Sequence, residues 1–205
     1  MAEKFQKSDG MNYAPKGKAQ AVVGAGEFKF AAVGLDHGHI FGMCNGLIEA
    51  GAELVYACDK DPKKVEDFIK KYPNVKPATL EAVLSDPEIR LVASAIIPGD
   101  RAHLGVTVME SGKDFFTDKP PLVSLDDLEK VKVAVEKTGM KYMVYFSERL
   151  HVESSMLAYE LVKQGAIGRV LHIDGFGPHR IGDMSSRPDW FVQKDKYGGI
   201  ICDIG

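Results

Sequence analysis

Between Lys29 and Asp59 the residue pattern switches from a short apolar run to helical spacing and back, and that switch restricts the fold more than anything else in the chain. Lys29-Phe30-Ala31-Ala32-Val33 reads as a strand stopped by Gly34, and Glu53 to Cys58 reads as a second strand closed by Asp59. Between them Ile40, Met43, Cys44, Leu47 and Ile48 recur on one helical face, and Gly51 stands where a helix end takes a left-handed residue. Strand, tight turn, helix, strand is the opening of a dinucleotide-binding unit. The turn Gly34-Leu35-Asp36-His37-Gly38-His39 keeps only the first glycine of G-x-G-x-x-G. Asp36 holds the second position and His39 the third, and Gly38 and Gly42 are expected to relieve the crowding that the third glycine normally relieves. A carboxylate beside a diphosphate is tolerable only if Asp36 turns away or caps the helix. Taken alone, the turn fits either a nucleotide site or a plain strand-to-helix connection. On the first reading Gly34, Asp36, His37, Gly38 and His39 line the cofactor. Asp59 accepts the ribose hydroxyls of NAD and repels the 2′-phosphate of NADP, so NAD is expected and NADP is the alternative.

The same rhythm continues. Asp61-Pro62 starts a helix that ends at Tyr72-Pro73, with Val65, Phe68 and Ile69 inward, and Thr79 caps a short helix through Leu84. Leu91 to Ile97 is a continuous apolar run stopped by Pro98-Gly99, as in a buried parallel strand opening into a loop. Arg101 to Glu110 reads as helix and Asp114 to Thr117 as strand, ending in Asp118-Lys119-Pro120-Pro121. A helix from Ser124 to Glu136, with Leu125, Leu128, Val131 and Val135 inward, leads to the strand Tyr142 to Tyr145. Strands alternating with helices at this spacing predict a Rossmann-type α/β fold, a doubly wound parallel sheet. Past Phe146 the texture changes to a longer helix from Val152 to Lys163, a β-rich stretch from Arg169 to Gly175, and a glycine- and proline-rich loop. The expected division is an arm over 1–27, a dinucleotide-binding domain over 28–148, and over 149–205 the incomplete start of an α+β domain with an open antiparallel sheet.

Composition narrows the class. At 205 residues, 45% hydrophobic, 27% charged and net charge −3, the chain is ordinary globular protein with no basic excess for nucleic acid. No apolar stretch approaches a membrane span and no export signal opens the chain, so neither membrane nor nucleic acid is an expected partner. Cys44, Cys58 and Cys202 lie in apolar runs and read as reduced core thiols, which places the chain in the cytoplasm.

Ligands of open α/β sheets bind beyond the carboxyl ends of strands, and three such ends carry chemistry here: the Gly34 turn, Pro98-Gly99 and Asp118-Lys119-Pro120. Lys119 is fixed by two prolines. A cationic nicotinamide nearby would ease loss of its proton, suiting it to accept one from an alcohol; the alternative is a surface lysine in a turn. Arg149 and His151 follow the last strand and could orient a substrate, or Arg149 could join a structural ion pair. Asp203 could hold a substrate or cap an element, and Trp190 could stack on a sugar or simply pack. His37-x-His39 lacks an outlying third ligand, so no metal is expected.

With these residues laid out, the chain resembles the Gfo/Idh/MocA oxidoreductases of glucose–fructose oxidoreductase and inositol dehydrogenase type, from about Phe28 to Gly205. The resemblance rests on the order of its motifs: the Gly34 turn, Asp59 in Ala-Cys-Asp-Lys-Asp-Pro, Ser111-Gly112-Lys113, Asp118-Lys119-Pro120, Arg149-Leu150-His151, Gly-Ala-Ile-Gly-Arg-Val at Gly165 to Val170, and Gly198-Gly199 through Asp203 to Gly205. It implies NAD(P)-dependent transfer of a hydride from a sugar, cyclitol or related polyol. Lys119 and Asp203 are then catalytic; Pro98, Asp118 and Lys119 join the cofactor residues, and Arg149, His151 and Trp190 bind substrate. It also implies a homo-oligomer in the full-length form. Departures accompany the matches: Asp36 and His39 replace glycines, Asp118 shortens a glutamate, and the family's catalytic histidine would fall after Gly205. The alternative is a catalytically silent dinucleotide-binding module.

Overall fold

Apolar runs flanked by turn residues become the strands β1 (Lys29–Val33), β2 (Glu53–Cys58), β4 (Ile89–Ser94), β5 (Asp114–Asp118) and β6 (Tyr142–Tyr145), joined by a two-residue β3 (Lys76–Pro77). The computed structural model describes residues 20–147, 149, 152–175, 182 and 184–204. All strands pair in parallel, in the order β3-β2-β1-β4-β5-β6. Parallel strands need crossovers, and the helices α1 (His39–Glu49), α2 (Pro62–Lys71), α3 (Leu80–Ser85), α4 (Pro98–Glu110) and α5 (Leu125–Thr138) supply them. Asp61, Thr79 and Ser124 each cap a helix through a side-chain oxygen, as the sequence predicts.

Because helices cover both faces, the central strands lack polar alternation. Phe30, Ala31, Ala32, Val92, Ala93 and Phe115 are fully buried, each large one contributing about 1.5–3 kcal/mol. Several of these are alanines, which lets the helices approach the sheet closely. The small edge strand β3 carries Pro77, a residue that an interior strand could not accommodate.

Some expectations change. Leu125 and Leu128 are exposed; Val131 is buried as expected, and α5 adds Ala134 to the core. α4 starts three residues early, at Pro98, since proline suits a first helical turn. Gly38 relieves no crowding, since a Cβ there would meet nothing. Cys202 is exposed rather than a core thiol.

The chain divides into two compact units, one comprising residues 19–145 with 181–205 and the other containing residues 146–180. In the second, Glu153–Lys163 is helical as expected. Residues 169–175 form no strand, because a strand exists only as a paired ladder and they have no partner among the described residues. In the first unit, residues 181–205 return as short helical turns, Asp189–Val192, Lys194–Tyr197 and Ile200–Ile204. No helix among the described residues is long and apolar enough to cross a membrane.

Burial distinguishes the three thiols. Desolvation pushes Cys44 up to about 12 and raises Cys58 as well, where the neighbouring Asp59 adds to the effect. One thiol per native chain, Cys202, should therefore react with Ellman's reagent at pH 8, and all three after denaturation. Rapid reaction of three thiols in the native protein would contradict this packing.

Candidate functional site

The strand order reverses between β1 and β4, the place where an open α/β sheet forms its ligand crevice, beyond the carboxyl ends of the strands. Gly34 begins the loop after β1 with φ +73°, and a Cβ there would lie 2.7 Å from the Cβ of Ile96 in the loop after β4. That close approach is fastened by hydrogen bonds from Ala95 N to Gly34 O and from His37 N to Ala95 O. The residues that sequence pattern assigned to the first turn are therefore in one place.

Asp36 resolves the difficulty of a carboxylate in the fingerprint. It accepts a hydrogen bond from Ile97 N at 3.3 Å, at the start of α4, and pairs with the Lys64 ammonium from α2. Its charge is neutralised and tied down, while the N–H groups of Asp36 and Gly38 take no acceptor among the described residues. Free N–H groups at the head of α1 suit an anion such as a diphosphate. Asp59 ends β2 beside the turn, where its two oxygens accept from Leu35 N at 2.6 Å and Asp61 N at 2.9 Å. A carboxylate has further lone pairs, so capacity for ribose hydroxyls remains. The residues present thus fit a dinucleotide.

At the end of β5, Asp118 is 1% exposed. It accepts from Lys119 N at 2.8 Å, faces His39 Nδ1 at 2.9 Å and His37 Nδ1 at 3.1 Å, and lies 3.4 Å from Arg101 Nη2. Burial alone would raise its pKa, but the hydrogen bonds from His37 and His39 and the Arg101 charge outweigh that and hold it well below the carboxylate range. The Lys119–Pro120 peptide that follows is cis.

Lys119 Nζ lies 2.6 Å from Asp203 Oδ1, and Tyr197 donates its hydroxyl to Asp203 Oδ2 at 2.8 Å. Burial first, and the Asp203 hydrogen bond second, raise the Tyr197 pKa, so the phenol stays protonated and acts as a donor. The turn carrying Tyr197 packs directly on α4: a Cβ on Gly99 would lie 2.5 Å from Asp195 O. Only glycine admits that approach.

Three of these groups carry weak sequence signals. Arg101 is 2% exposed and donates from Nε to Ile96 O at 2.7 Å and from Nη1 to Asp118 O at 3.0 Å and Pro120 O at 2.7 Å. Lys64 looks like any solvated helix lysine, and Tyr197 is marked only by the two glycines after it. Pro98 starts α4 at the crevice. Trp190 is half-buried against Phe191 and Tyr197, with ring centroids 6.0 and 6.3 Å away. Arg149 is exposed, its guanidinium 4.2 Å over the Tyr159 ring in the other unit, and His151 lies outside the described residues.

A model of the Gfo/Idh/MocA oxidoreductases, described as an oxidoreductase family with an NAD-binding Rossmann fold, matches residues 18–146. The chain belongs to this family. A D-xylose dehydrogenase of Paenarthrobacter nicotinovorans is 25% identical over 150 residues, covering 71% of this chain and 38% of the relative. The scyllo-inositol 2-dehydrogenase (NAD(+)) of Bacillus subtilis strain 168 is 27% identical over 121 residues, 59% of this chain and 33% of the relative. Among solved structures, a protein of Erwinia carotovora atroseptica SCRI1043 is 49% identical with TM-score 0.80, covering 87% of this chain and 53% of that one. A levoglucosan dehydrogenase shares the fold, with TM-score 0.70 at 20% identity over 86% of this chain and 50% of that one. The chain thus spans about a third of the length of these curated relatives and about half that of these solved structures.

In this member of the Gfo/Idh/MocA family, Arg101 holds the β5 turn closed. Arg101→Leu leaves three carbonyls and part of the Asp118 charge without a donor and should cost about 3–5 kcal/mol in urea unfolding. Arg101→Lys should recover only part, since a point charge cannot serve the same directions as a planar fork. A loss below about 1 kcal/mol for the leucine variant would show that this turn holds itself.

Proposed function

We propose that the chain provides the cofactor and proton-transfer groups of an NAD-dependent dehydrogenase acting on a secondary alcohol of a sugar, cyclitol or related polyol. The observation that carries the reading is the 2.6 Å contact between Lys119 and Asp203 at the mouth of the crevice. Family membership and the sugar and inositol dehydrogenases among the relatives support the substrate class. Bound NAD would supply the hydride acceptor. The free N–H groups of Asp36 and Gly38 would take its diphosphate, and Asp59 its ribose.

The chain's own residues then handle one proton. As the alcohol carbon gives up its hydride, the hydroxyl proton passes to Lys119 Nζ, which has to enter the step as a neutral amine with its own proton already released to solvent, and the C–O bond becomes a carbonyl. Asp203 stays a carboxylate that fixes the lysine's position and favours the ammonium formed, and Tyr197 holds Asp203 in turn. In the reverse direction the ammonium returns the proton. Trp190 would stack on the ring of the substrate. Asp59 favours NAD, because a 2′-phosphate beside its carboxylate is repelled.

Lys119→Ala should lower kcat by about 10²–10⁴-fold, far more than it weakens NADH binding. Gly34→Ala should weaken NADH binding itself, as read by nicotinamide fluorescence. Turnover untouched by Lys119→Ala would overturn the catalytic assignment. NADH binding without turnover of any polyol in the unaltered protein would leave a silent dinucleotide-binding module instead.

A further inference from the structure

We propose that His37, His39 and Asp118 form a site for a divalent transition-metal ion at the crevice ends of β1 and β5. The inference does not rest on the dehydrogenase reading. The two histidines alone are a pair on a turn, and the third ligand that local sequence does not offer comes from across the sheet, where β4 separates β5 from β1.

The geometry is that of a partly assembled three-ligand set. His39 Nδ1 and His37 Nδ1 lie 2.9 and 3.1 Å from different oxygens of the Asp118 carboxylate, and one ligand atom from each residue falls within 4.8 Å of the others. Around a tetrahedral ion with bonds of about 2.1 Å, donor atoms stand roughly 3.4 Å apart, so the two imidazole–carboxylate separations need to open by only a few tenths of an ångström, while the histidine nitrogens, within 4.8 Å of each other, close toward the same spacing. The imidazole rings are 4.3 Å apart and nearly perpendicular, so they converge on the carboxylate without stacking.

Hydrogen bonding points the same way. Asp118 asks for a proton on His37 Nδ1, while His39 N–H, 3.4 Å from the same nitrogen, asks for a lone pair. No single protonation state serves both. A metal ion bound by Asp118 and by the His37 lone pair would meet the demand of Asp118 without that proton, and the His39 N–H would give up its long contact. The carboxylate is already oriented by Lys119 N at 2.8 Å, an outer-sphere contact of the kind that fixes metal ligands. Arg101 Nη2, 3.4 Å from Asp118 Oδ2, opposes a second cation and should keep the affinity below that of an isolated set.

Two imidazoles and one carboxylate favour Zn²⁺, Co²⁺, Ni²⁺ or Fe²⁺ over Mg²⁺ or Ca²⁺, and three protein ligands leave a position for water or an anionic oxygen. His37 is 42% exposed in its side chain, which gives an ion a route in.

The test is titration of the chelator-treated protein with Co²⁺ in the absence of dinucleotide, following its visible d–d absorption and the metal content after gel filtration. One equivalent is expected. His39→Asn should weaken binding by at least the ~10–100-fold that loss of an outer-sphere partner costs. His37→Asn, at a half-exposed position, should do the same, while His172→Asn in the other unit should change nothing. Absence of Co²⁺ absorption, or binding undiminished in both His37→Asn and His39→Asn, would overturn the proposal.

Discussion

The buried pair of Arg101 and Asp118 is the interaction on which the crevice depends. Both side chains are nearly sealed from solvent, which normally penalises charge heavily, and the arrangement is sustainable because almost every polar direction is used. Arg101 donates to three carbonyls from two different loops, and the Asp118 oxygens receive a backbone N–H and face two imidazoles. A hydrophobic pair of the same volume could fill the space, but it could not hold the ends of β4 and β5 in one relation to the first turn. Lys113 plays the matching part at the opposite end of the sheet, with its ammonium on the carbonyls of Asp86 and Ile89. Two buried cations therefore pin the β4–β5 region from both ends, each by bonding the backbone carbonyls of neighbouring loops.

The same principle explains how the first turn tolerates acidic and imidazole side chains where glycines are usual. A glycine fingerprint works by absence, leaving room for a diphosphate to meet bare backbone. Here room is kept by turning side chains away and fastening them: Asp36 to Ile97 N and Lys64, His37 and His39 toward Asp118. Only Gly34 is retained for steric reasons, since its backbone lies against Ile96 in a left-handed conformation. The consequence is a crevice whose floor carries more polar side chains than a glycine-rich turn would, each of them held by a specific partner.

Much of this was legible in the sequence because periodicity and punctuation are local. Strand β2 and the Asp61 and Thr79 caps follow from short-range pattern, and so does the placing of Gly34, Asp59 and Lys119 at strand ends. What the pattern could not show were partners fixed by topology. Leu125 looks like a core residue on a helical wheel, yet it is exposed, because inward direction depends on where the sheet stops. Asp118 and His39 are 79 positions apart and meet only because β1 and β5 flank β4. Arg101 carries no signal of burial at all, since arginine on a helix is usually solvated and its carbonyl partners exist only after the β5 turn has formed. The segment 169–175 fails for the opposite reason, having strand-like composition without an edge to pair with among the described residues.

Layering of the charges decides which groups are free to act. Asp118 is saturated by four neighbours and sealed from solvent, so it cannot also exchange a proton with a substrate; its office is to hold others in place. His37 and His39 come next, each turned inward on Asp118 by one ring nitrogen while the rest of the ring remains partly open. Lys119 and Asp203 have side chains 16% and 17% exposed, less than either imidazole, enough to be reached and not enough to be hydrated freely. Tyr197 occupies one Asp203 oxygen and Lys119 the other, so the carboxylate is held from both sides. That anchoring runs back from Tyr197 through the turn against Gly99 to the head of α4, the helix that also carries Arg101, so the Lys119–Asp203 pair and the Arg101–Asp118 pair share one support.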